Sequence, residues 1–481
     1  MISKFKKLLP ENAFARGVGV LVGGTAGAQL LVVLASPLLT RLYSPEDFGL
    51  LAVYAGILGL LSVIVSLRYQ LAIPLPGNDE EAASIAVLSL IMVVITTLCS
   101  AVAVWLGGDQ LVSLLNTPNI APYLWLIPVG LLLVGIYQVF QYWAIRTKAF
   151  SNIAKAKVTQ SLGMLFTQIA GSTFGPIALI LGRIVGQSAG IFRLVNSASK
   201  NSNSAFEGVS FTKIKDAGIR YNKFPLVSTW AGLASSAGTQ LPPLIIAALL
   251  GVSSAGLFSL AQRVLSQPMS IIGKAISDVF YQRASQAFRE GGLDLIVKKV
   301  FSTLLVLALV PAIIFFIYAP ELFKVVFGEE WYSAGIIARW MVPWMLADFV
   351  VSPCTGIYPI INKHGLALGF QASLAASGIV GSVIGGWYFG SLTAAVILMS
   401  LLNSFIYVSR LFNVFIILGL SFKALLRVML PRIFISVLIT LPVIFSWIFL
   451  HENFMACMAG VIVSVFMWLV YFFKSLKFDL K

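Results

Sequence analysis

The stretch VFSTLLVLALVPAIIFFIYA, residues Val300–Ala319, decides the fold class of this sequence. It carries no charged residue over roughly 20 positions, which is the length of helix that crosses the hydrocarbon core of a bilayer. Inside lipid every backbone amide must find its partner within the same segment. The stretch is therefore predicted to be a membrane-spanning α-helix.

Similar apolar blocks recur along the 481-residue chain, which is 59% hydrophobic and only 11% charged. A soluble protein of this length needs more charged residues to cover its surface. The sequence therefore predicts an all-α polytopic membrane protein with about 14 transmembrane helices. The predicted spans are 17–41, 48–72, 82–106, 122–145, 153–173, 175–195, 224–249, 253–276, 300–319, 331–361, 366–389, 392–419, 429–450 and 454–473.

The basic residues between the spans predict the orientation of the chain. With the N-terminus inside, the outward connections contain only Arg41 and Lys324 as basic residues, and the inward connections contain all the others that lie outside the spans. Inward loops of membrane proteins carry the excess of Lys and Arg. This rule explains the formal net charge of +15 without a nucleic-acid partner. Both termini are predicted to lie in the cytoplasm.

Short motifs indicate an internal repeat. The segment Ala26–Leu30 (AGAQL) resembles Ala237–Leu241 (AGTQL), and a Gly-Leu pair opens the next span in each half, at Gly49 and at Gly256. Chance similarity of small residues is the alternative. A repeat of six spans keeps its orientation, so two six-helix lobes would be related by a pseudo-two-fold axis normal to the membrane. The predicted domains are a first lobe at 1–195, a cytoplasmic linker at 196–223, a second lobe at 224–419, and two additional transmembrane helices with a cytoplasmic tail at 420–481.

Two further patterns predict local packing. Glycines at four-residue spacing allow helices to approach closely. They occur at Gly19, Gly23 and Gly27, and again at Gly182, Gly186 and Gly190. The connection 277–299 is amphipathic and is predicted to lie along the inner membrane surface as an interfacial helix.

Arg68, Arg183, Arg263, Arg339 and Asp348 lie inside the predicted spans, where charged groups usually face a cavity or a partner. At 1.5 Å per residue, the last three arginines lie roughly 12–15 Å below the outer surface, and Arg68 lies nearer the inner end of its span. Guanidinium groups bind phosphate in a fork and stay charged at any depth. The arginines therefore predict a cationic cavity for a pyrophosphate head group. Alternatively, each arginine caps a helix end, extends to the membrane surface, or pairs with Asp348.

Polar side chains accompany these arginines. The candidates for lining the cavity and contacting sugar hydroxyls are Gln29, Gln240, Ser259, Ser266 and Gln267. The last three share one helix face with Arg263, and the two other glutamines occupy matching positions of the repeat. Asp348 is the only acidic residue inside a predicted span. It is predicted either to bind a coupling ion, H⁺ or Na⁺, or to neutralise Arg339.

Catalytic and metal-binding patterns are missing from the sequence. Cys99, Cys354 and Cys457 lie in separate apolar blocks, without the spacing of a metal site or of a disulfide framework. There is no GxxxxGK[ST] motif, and the short outward connections lack the catalytic groups that a polysaccharide polymerase would need. We therefore expect a transporter rather than an enzyme, with no cofactor.

Three stretches resemble a known family. They are Ser36–Gly49 (SPLLTRLYSPEDFG), Leu67–Ile73 (LRYQLAI) and Phe280–Ala284 (FYQRA). They are similar to segments of the O-antigen and capsular polysaccharide flippase branch of the multidrug/oligosaccharidyl-lipid/polysaccharide exporter superfamily. The resemblance runs over most of the chain, through the predicted repeat spans, and the extra pair of helices at the end also occurs in that family.

The resemblance implies a two-lobed transporter in the bacterial cytoplasmic (inner) membrane, with a central cationic cavity to which Arg68 and Arg263 would contribute. It implies movement of an undecaprenyl-pyrophosphate-linked oligosaccharide from the cytoplasmic to the periplasmic leaflet by alternating access, for O-antigen, lipopolysaccharide or another surface polysaccharide. The expected partners are this lipid-linked substrate and membrane lipids. A polysaccharide polymerase and glycosyltransferases are expected as pathway neighbours, and a monomer is the expected state.

Three other functions stay open from the sequence. A peptidoglycan-precursor flippase and a cation-coupled multidrug antiporter belong to the same superfamily. The antiporter would favour internal carboxylates for cationic drugs, whereas this chain offers Asp348 against several arginines. A membrane polysaccharide polymerase is the alternative from another class.

Overall fold

The computed structural model describes residues 13–449 and 454–479 of the chain. The predicted cytoplasmic termini lie outside these residues. Within them the chain forms α-helices joined by short turns, with no β-strand. The helices of ten or more residues are α1 (Ala13–Leu42), α2 (Pro45–Ile64), α3 (Asp79–Leu115), α4 (Leu126–Arg146), α5 (Phe150–Ala170), α6 (Pro176–Glu207), α7 (Phe211–Arg220), α8 (Thr229–Leu250), α9 (Val252–Glu290), α10 (Leu293–Phe327), α11 (Tyr332–Val351), α12 (His364–Trp387), α13 (Leu392–Ile417), α14 (Phe422–Phe449) and α15 (Phe454–Asp479).

Each predicted span overlaps one of these helices, but the second and the tenth predicted spans run on past the ends of α2 and α11 through a 3-10 turn. Among the described residues, 12 helical segments are long and apolar enough to cross a membrane, by length and composition. The two other predicted spans lie in α5 and α9, which are long enough but more polar. The polarity of α9 comes in part from the serine, glutamine and arginine residues that the sequence predicts to line the cavity. The all-helical polytopic fold is confirmed.

The chain forms two compact units, Met1–Ser259 and Leu260–Lys481. The boundary between them falls within α9, whereas the sequence predicted a division at the linker 196–223. The difference arises because α8, the first helix of the predicted second lobe, packs on α2. The first unit therefore contains α1–α8 and the beginning of α9.

Two glycines, Gly49 and Gly256, let the beginning of α2 approach the beginning of α9 closely in the first unit. A Cβ added at Gly49 would overlap the carbonyl group of Val252, and a Cβ at Gly256 would overlap the carbonyl oxygen of Pro45. The contact is reciprocal, since Pro45 precedes Gly49 by the same interval as Val252 precedes Gly256. This symmetry supports the internal repeat, because equivalent positions of the two halves face each other.

One of the two predicted glycine runs packs as expected. A Cβ at Gly186 would lie 2.5 Å from the carbonyl oxygen of Gln160 on α5, so the tandem motif of α6 allows the close approach of these two helices. The prediction for α1 is wrong in detail. Gly23 and Gly27 face open space, and α1 contacts α5 through Gly24, where a Cβ would lie 2.6 Å from that of Ala154.

An acidic triplet, Asp79–Glu81, begins α3 and forms ion pairs with three basic side chains of the first unit. The ion pairs are Arg146–Asp79 at 2.7 Å, Lys213–Glu80 at 2.7 Å and Arg220–Glu81 at 2.9 Å. Partly exposed pairs contribute little stability each, but the two pairs of Lys213 and Arg220 together fix the orientation of α7 on α3. The predicted linker 196–223 thus contains the end of α6 and all of α7.

In the second unit, α9 continues without a break to Glu290. Phe280 and Ala284 are buried in a core with Cys354 and Tyr358. The prediction of a separate interfacial helix at 277–299 is therefore wrong. Other helices cover Phe280, Ala284 and Ala287 of its apolar face, whereas Val279 and Phe288 are exposed.

The last two helices pack on α10 of the second unit. The indole Nε1 of Trp468 donates to the carbonyl oxygen of Val306 at 3.0 Å. The hydroxyls of Tyr318 and Ser446 lie 3.2 Å apart and share a hydrogen bond. Since α10 belongs to the predicted repeat, α14 and α15 extend the second unit and form no separate body.

Candidate functional site

Arg68 lies at a break in the second predicted span. Helix α2 ends at Ile64 and a 3-10 turn begins at Tyr69. Between them, Leu67 and Arg68 have φ angles of 49° and 64°, in the left-handed region. This conformation costs a non-glycine residue roughly 1–2 kcal/mol, and such strain is concentrated at functional sites. Hydropathy alone did not reveal the break, because apolar residues continue on both sides of it.

The guanidinium of Arg68 lies against α8. A Cβ at Gly232 would overlap its Nη2 and lie 2.6 Å from its Cζ, so the glycine makes room for the side chain. The Nε of Arg68 is buried and has no hydrogen-bond partner within 13–449 and 454–479. Tyr142 of α4 lies within electrostatic range. A guanidinium that is held in place with an unused donor is suited to an anionic oxygen.

Hydrogen bonds between amide side chains stabilise the chain around the break. The hydroxyl of Ser66 donates to Oε1 of Gln70, and Nε2 of Gln70 donates to Oε1 of Gln138 at 3.1 Å. Nε2 of Gln138 in turn donates to the backbone carbonyl of Ser62 at 3.2 Å. We call these four residues the amide ladder. The sequence search missed it, although a glutamine within each of two apolar blocks was a usable signal.

Arg183 is exposed on α6, inside a candidate span. It has no hydrogen-bond or ion-pair partner among the residues that the structure describes, and Tyr54 of α2 is within electrostatic range. One turn later, Gln187 is buried and accepts a hydrogen bond from Gln160 of α5. Lys157, two turns inside α5, lies 4.9 Å above the ring of Tyr137. The sequence predicts Lys157 to lie in an inward connection.

The predicted polar lining of the first unit is half-buried. Gln29, Gln240 and Ser259 are all partly accessible. The side chain of Gln240 lies against α2, where a Cβ at Gly59 would overlap it. The glutamine therefore packs closely at one end and keeps part of its surface open.

In the second unit, Arg263, Ser266 and Gln267 lie along α9 and are half-buried. The side-chain oxygen of Gln267 is buried and unpaired in the described part of the chain. The three residues occupy one continuous helix, as the spacing predicted. Arg263 has a contact of its own within the protein.

Arg339 binds the backbone of α10. Its Nε donates to the carbonyl oxygen of Phe316 at 2.8 Å, and its Nη2 donates to that of Ile317 at 2.7 Å. Pro320 explains this contact, because proline has no N–H for the carbonyl four residues earlier, which is that of Phe316. The geometry favours the structural alternative, in which the arginine satisfies carbonyls at a helix distortion.

The contact between Arg339 and α10 is testable. We expect Arg339→Gln to destabilise the protein by about 2 kcal/mol, because the charged hydrogen bonds to two part-buried carbonyls are lost. In a Pro320→Ala background the same change should cost about 1 kcal/mol less, since residue 320 then supplies the N–H for Phe316. The difference is measured from the melting temperatures, in one detergent, of wild type, the two single variants and the double variant. Arg193→Gln, at an exposed position of α6, is the control. Equal costs in the two backgrounds would contradict the assignment.

Asp348 has neighbours other than Arg339. It is half-buried on α11, beside Tyr407 and Ser352, with Arg410 of α13 within electrostatic range. The suggestion that Asp348 neutralises Arg339 is not supported, because Arg339 is bound to the carbonyls of α10.

Arg410 is a functional candidate that sequence reasoning missed. It is buried, its Cζ lies 5.7 Å above the ring of Tyr358 and 5.9 Å above that of Phe370, and its Nε has no partner within the described ranges. The hydroxyl of Tyr358 donates to Oδ1 of Asn413 at 3.1 Å. The sequence predicts Arg410 to belong to an inward connection, because it lies near the end of a predicted span. Its helical spacing from Tyr407 was the available signal.

The structure therefore divides the predicted site residues between the two units. Arg68, Arg183, Gln29, Gln240 and Ser259 lie in the first unit. Arg263, Ser266, Gln267, Arg339 and Asp348 lie in the second.

Comparison with known proteins identifies relatives. A family model described as "Polysaccharide biosynthesis protein" matches residues 38–335. The chain is 24% identical over 392 residues to the succinoglycan biosynthesis transport protein ExoT of Rhizobium meliloti (strain 1021), covering 79% of this chain and 75% of that protein. It is 22% identical over 316 residues to the lipopolysaccharide biosynthesis protein WzxC of Escherichia coli (strain K12), covering 63% of this chain and 62% of that protein.

Solved structures show the same fold. The lipid II flippase MurJ in an inward closed conformation matches with a TM-score of 0.76 at 12% identity, covering 96% of this chain and 99% of that one. An inward-facing multidrug resistance MATE family transporter of the MOP superfamily matches with a TM-score of 0.64 at 14% identity, covering 83% and 94%. Together with the apolar helices, these matches confirm a multi-pass membrane protein of this fold.

Proposed function

The chain belongs to the polysaccharide biosynthesis protein family, and we propose that it is a flippase that moves a lipid-linked oligosaccharide across the bacterial inner membrane. The substrate is an oligosaccharide on undecaprenyl pyrophosphate, which passes from the cytoplasmic to the periplasmic leaflet by alternating access. Both termini of the protein are cytoplasmic in this proposal, and the protein transports its substrate without catalysing a reaction.

The proposal depends on how Arg68 is held in the structure. Its backbone is held in a left-handed conformation, its guanidinium lies in the space that Gly232 leaves, and its Nε has no partner among the described residues. A rigid guanidinium suits the two phosphates of a pyrophosphate, whereas the hydroxyls of a free sugar do not need a cation.

Arg183 and Arg263 are the other proposed contacts for the anionic head group. Arg183 is exposed on a spanning helix, where a charge without a partner would be costly in contact with lipid. Arg263 lies on the same helix face as Ser266 and Gln267, which can bind sugar hydroxyls. We leave Arg339 out of this set, because its guanidinium is already bound to α10.

Asp348 is the proposed site for a coupling ion, H⁺ or Na⁺. Arg410 lies within electrostatic range of this carboxylate. A peptidoglycan-precursor flippase would carry the same pyrophosphate, so the arginines do not distinguish the two lipid-linked substrates. The relatives named for succinoglycan and lipopolysaccharide favour a surface polysaccharide.

Complementation tests the proposal. The gene is deleted in its host, and surface polysaccharide and lipid-linked intermediates are measured after restoration with wild type, Arg68→Asn or Arg68→Lys. Asparagine tolerates the left-handed conformation, so this variant removes the guanidinium without adding backbone strain. We expect Arg68→Asn to lower polymer export by about 10- to 100-fold, which is the value of one charge-assisted hydrogen bond.

Arg193→Asn on exposed α6 is the matched control and should export normally at equal membrane abundance. If deletion leaves polysaccharide unchanged but causes lysis, the peptidoglycan-precursor reading replaces the proposal. If Arg68→Asn exports like wild type, Arg68 does not bind the head group, even where the deletion confirms the flippase.

A further inference from the structure

We propose that α7 is an interfacial helix whose outward face binds anionic phospholipid at the membrane surface. The occupant is a lipid head-group layer of phosphatidylglycerol type, in which the apolar side chains of the helix insert. The inference concerns a surface away from the transported substrate and does not depend on the proposed function.

The inner face of α7 is fixed to the first unit. Ala217 is buried, and the hydroxyl of Tyr69 donates to the carbonyl oxygen of Gly218 at 3.1 Å. Lys213 and Arg220 are bound to Glu80 and Glu81 of the acidic triplet. The helix therefore cannot rotate to hide its other face.

The outward face is a stripe of Phe211, Lys215 and Ile219. These residues follow one another at four-residue spacing and so lie on one side of the helix. Phe211 is 82% exposed and Ile219 is 61% exposed in the whole chain. Two large, exposed apolar side chains two turns apart on the same side of a ten-residue helix indicate a surface that something covers.

The position of α7 indicates that the bilayer covers it. Candidate spans Pro176–Ser199 and Phe224–Leu250 precede and follow the helix. The four residues from Arg220 to Phe224 reach at most about 14 Å, so α7 lies close to the level at which the second span begins. Leu226, Val227 and Trp230 at the start of that span are also exposed, which continues the apolar surface towards the lipid.

The charges of α7 select an anionic surface. Lys213 and Arg220 are neutralised by the acidic triplet, which leaves exposed Lys215 within the stripe, exposed Lys223 after it and one exposed acid, Asp216, outside the stripe. A lysine between two inserting apolar residues can extend to the phosphate layer. Basic residues near an anionic membrane contribute about 1 kcal/mol each.

Spin labels on the full-length chain test the insertion. Nitroxides are attached at Phe211→Cys, Ile219→Cys and Asp216→Cys, with Cys99, Cys354 and Cys457 replaced by alanine, in nanodiscs of phosphatidylcholine with or without phosphatidylglycerol. Collision with oxygen and with a water-soluble nickel complex reports the depth of each label. We expect labels 211 and 219 to lie about 5–10 Å inside the boundary in anionic discs, and label 216 to stay in water.

Hydrogen exchange of the unlabelled protein, with all its cysteines, gives an independent measurement. Amides of α7 should exchange about fivefold more slowly in anionic than in zwitterionic discs, and Lys215→Glu should remove this difference. The proposal is overturned if labels 211 and 219 are as accessible to nickel as label 216, or if exchange is equal in the two lipids. Protection in native membranes but not in purified discs would also overturn it, and would indicate a protein partner.

Discussion

Gly256→Ala is expected to destabilise the protein by about 3 kcal/mol, the upper end of the range for overpacking a core. The added methyl group would overlap the carbonyl oxygen of Pro45 and lie 2.8 Å from the backbone nitrogen of Gly49. These are backbone atoms, so no side chain can rotate away and the helices must separate. The melting temperature in detergent, and the fraction of protein that stays monodisperse after heating, measure the effect.

Gly273→Ala is the matched control, because it lies on the same helix and a Cβ there meets nothing within 4 Å. It should leave stability unchanged or raise it by about 0.5–1 kcal/mol through helix propensity. Gly49→Ala should behave like Gly256→Ala. The double variant should cost less than the two together, because the first methyl group already separates the chains. A Gly256→Ala protein that melts like wild type would show that the crossing is looser than the structure has it.

Asp348→Asn is expected to destabilise the protein by about 2 kcal/mol, because the buried cation of Arg410 loses the one acidic group within its electrostatic range that the described residues show, although the two form no ion pair there. Arg410→Met should cost less, since the charge that it leaves behind is the half-buried Asp348, which water can reach. This order of costs follows from burial rather than from the charges themselves. Thermal melts of both variants at one salt concentration measure it.

The double variant Asp348→Asn with Arg410→Met separates structure from coupling. We expect it to be more stable than Asp348→Asn alone, because no buried charge is left unpaired. If Asp348 also binds the coupling ion, this stable protein should still fail in the complementation assay. Normal export by the double variant would show that Asp348 does not bind the coupling ion. If Asp348→Asn and the double variant melt at the same temperature, the stability cost of Asp348→Asn does not come from the charge of Arg410.

Much of the fold could be predicted from the sequence, because each span must be apolar along its own length. The stretch Val300–Ala319 lies inside α10, and the other blocks lie inside helices too. The prediction went wrong where a neighbouring helix decides the outcome. The amphipathic stretch 277–299 is predicted to lie on the membrane, but Phe280, Ala284 and Ala287 of its apolar face are buried inside the second unit, whereas α7 exposes an apolar stripe.

The candidate site could be predicted only as a set of residue types. Depth in a span indicated that Arg68 and Arg339 were unusual, but it could not show what each one contacts. Arg339 meets the carbonyl that Pro320 leaves without a donor, and Arg68 meets the space at Gly232. Neither partner is near its arginine in the sequence, so no local pattern connects them.

The sequence by itself determined the membrane class, the helices and the family, because hydropathy, backbone satisfaction in lipid and short motifs are properties of single segments. Only the tertiary structure decided which charged side chains contact other groups of the protein. It bound Arg339 to α10, placed Arg410 near Asp348, broke the second span at Arg68 and docked α7 on the acidic triplet. The physical reason is that a charge in a low-dielectric interior is defined by its neighbours, and those neighbours come from helices far away in the chain.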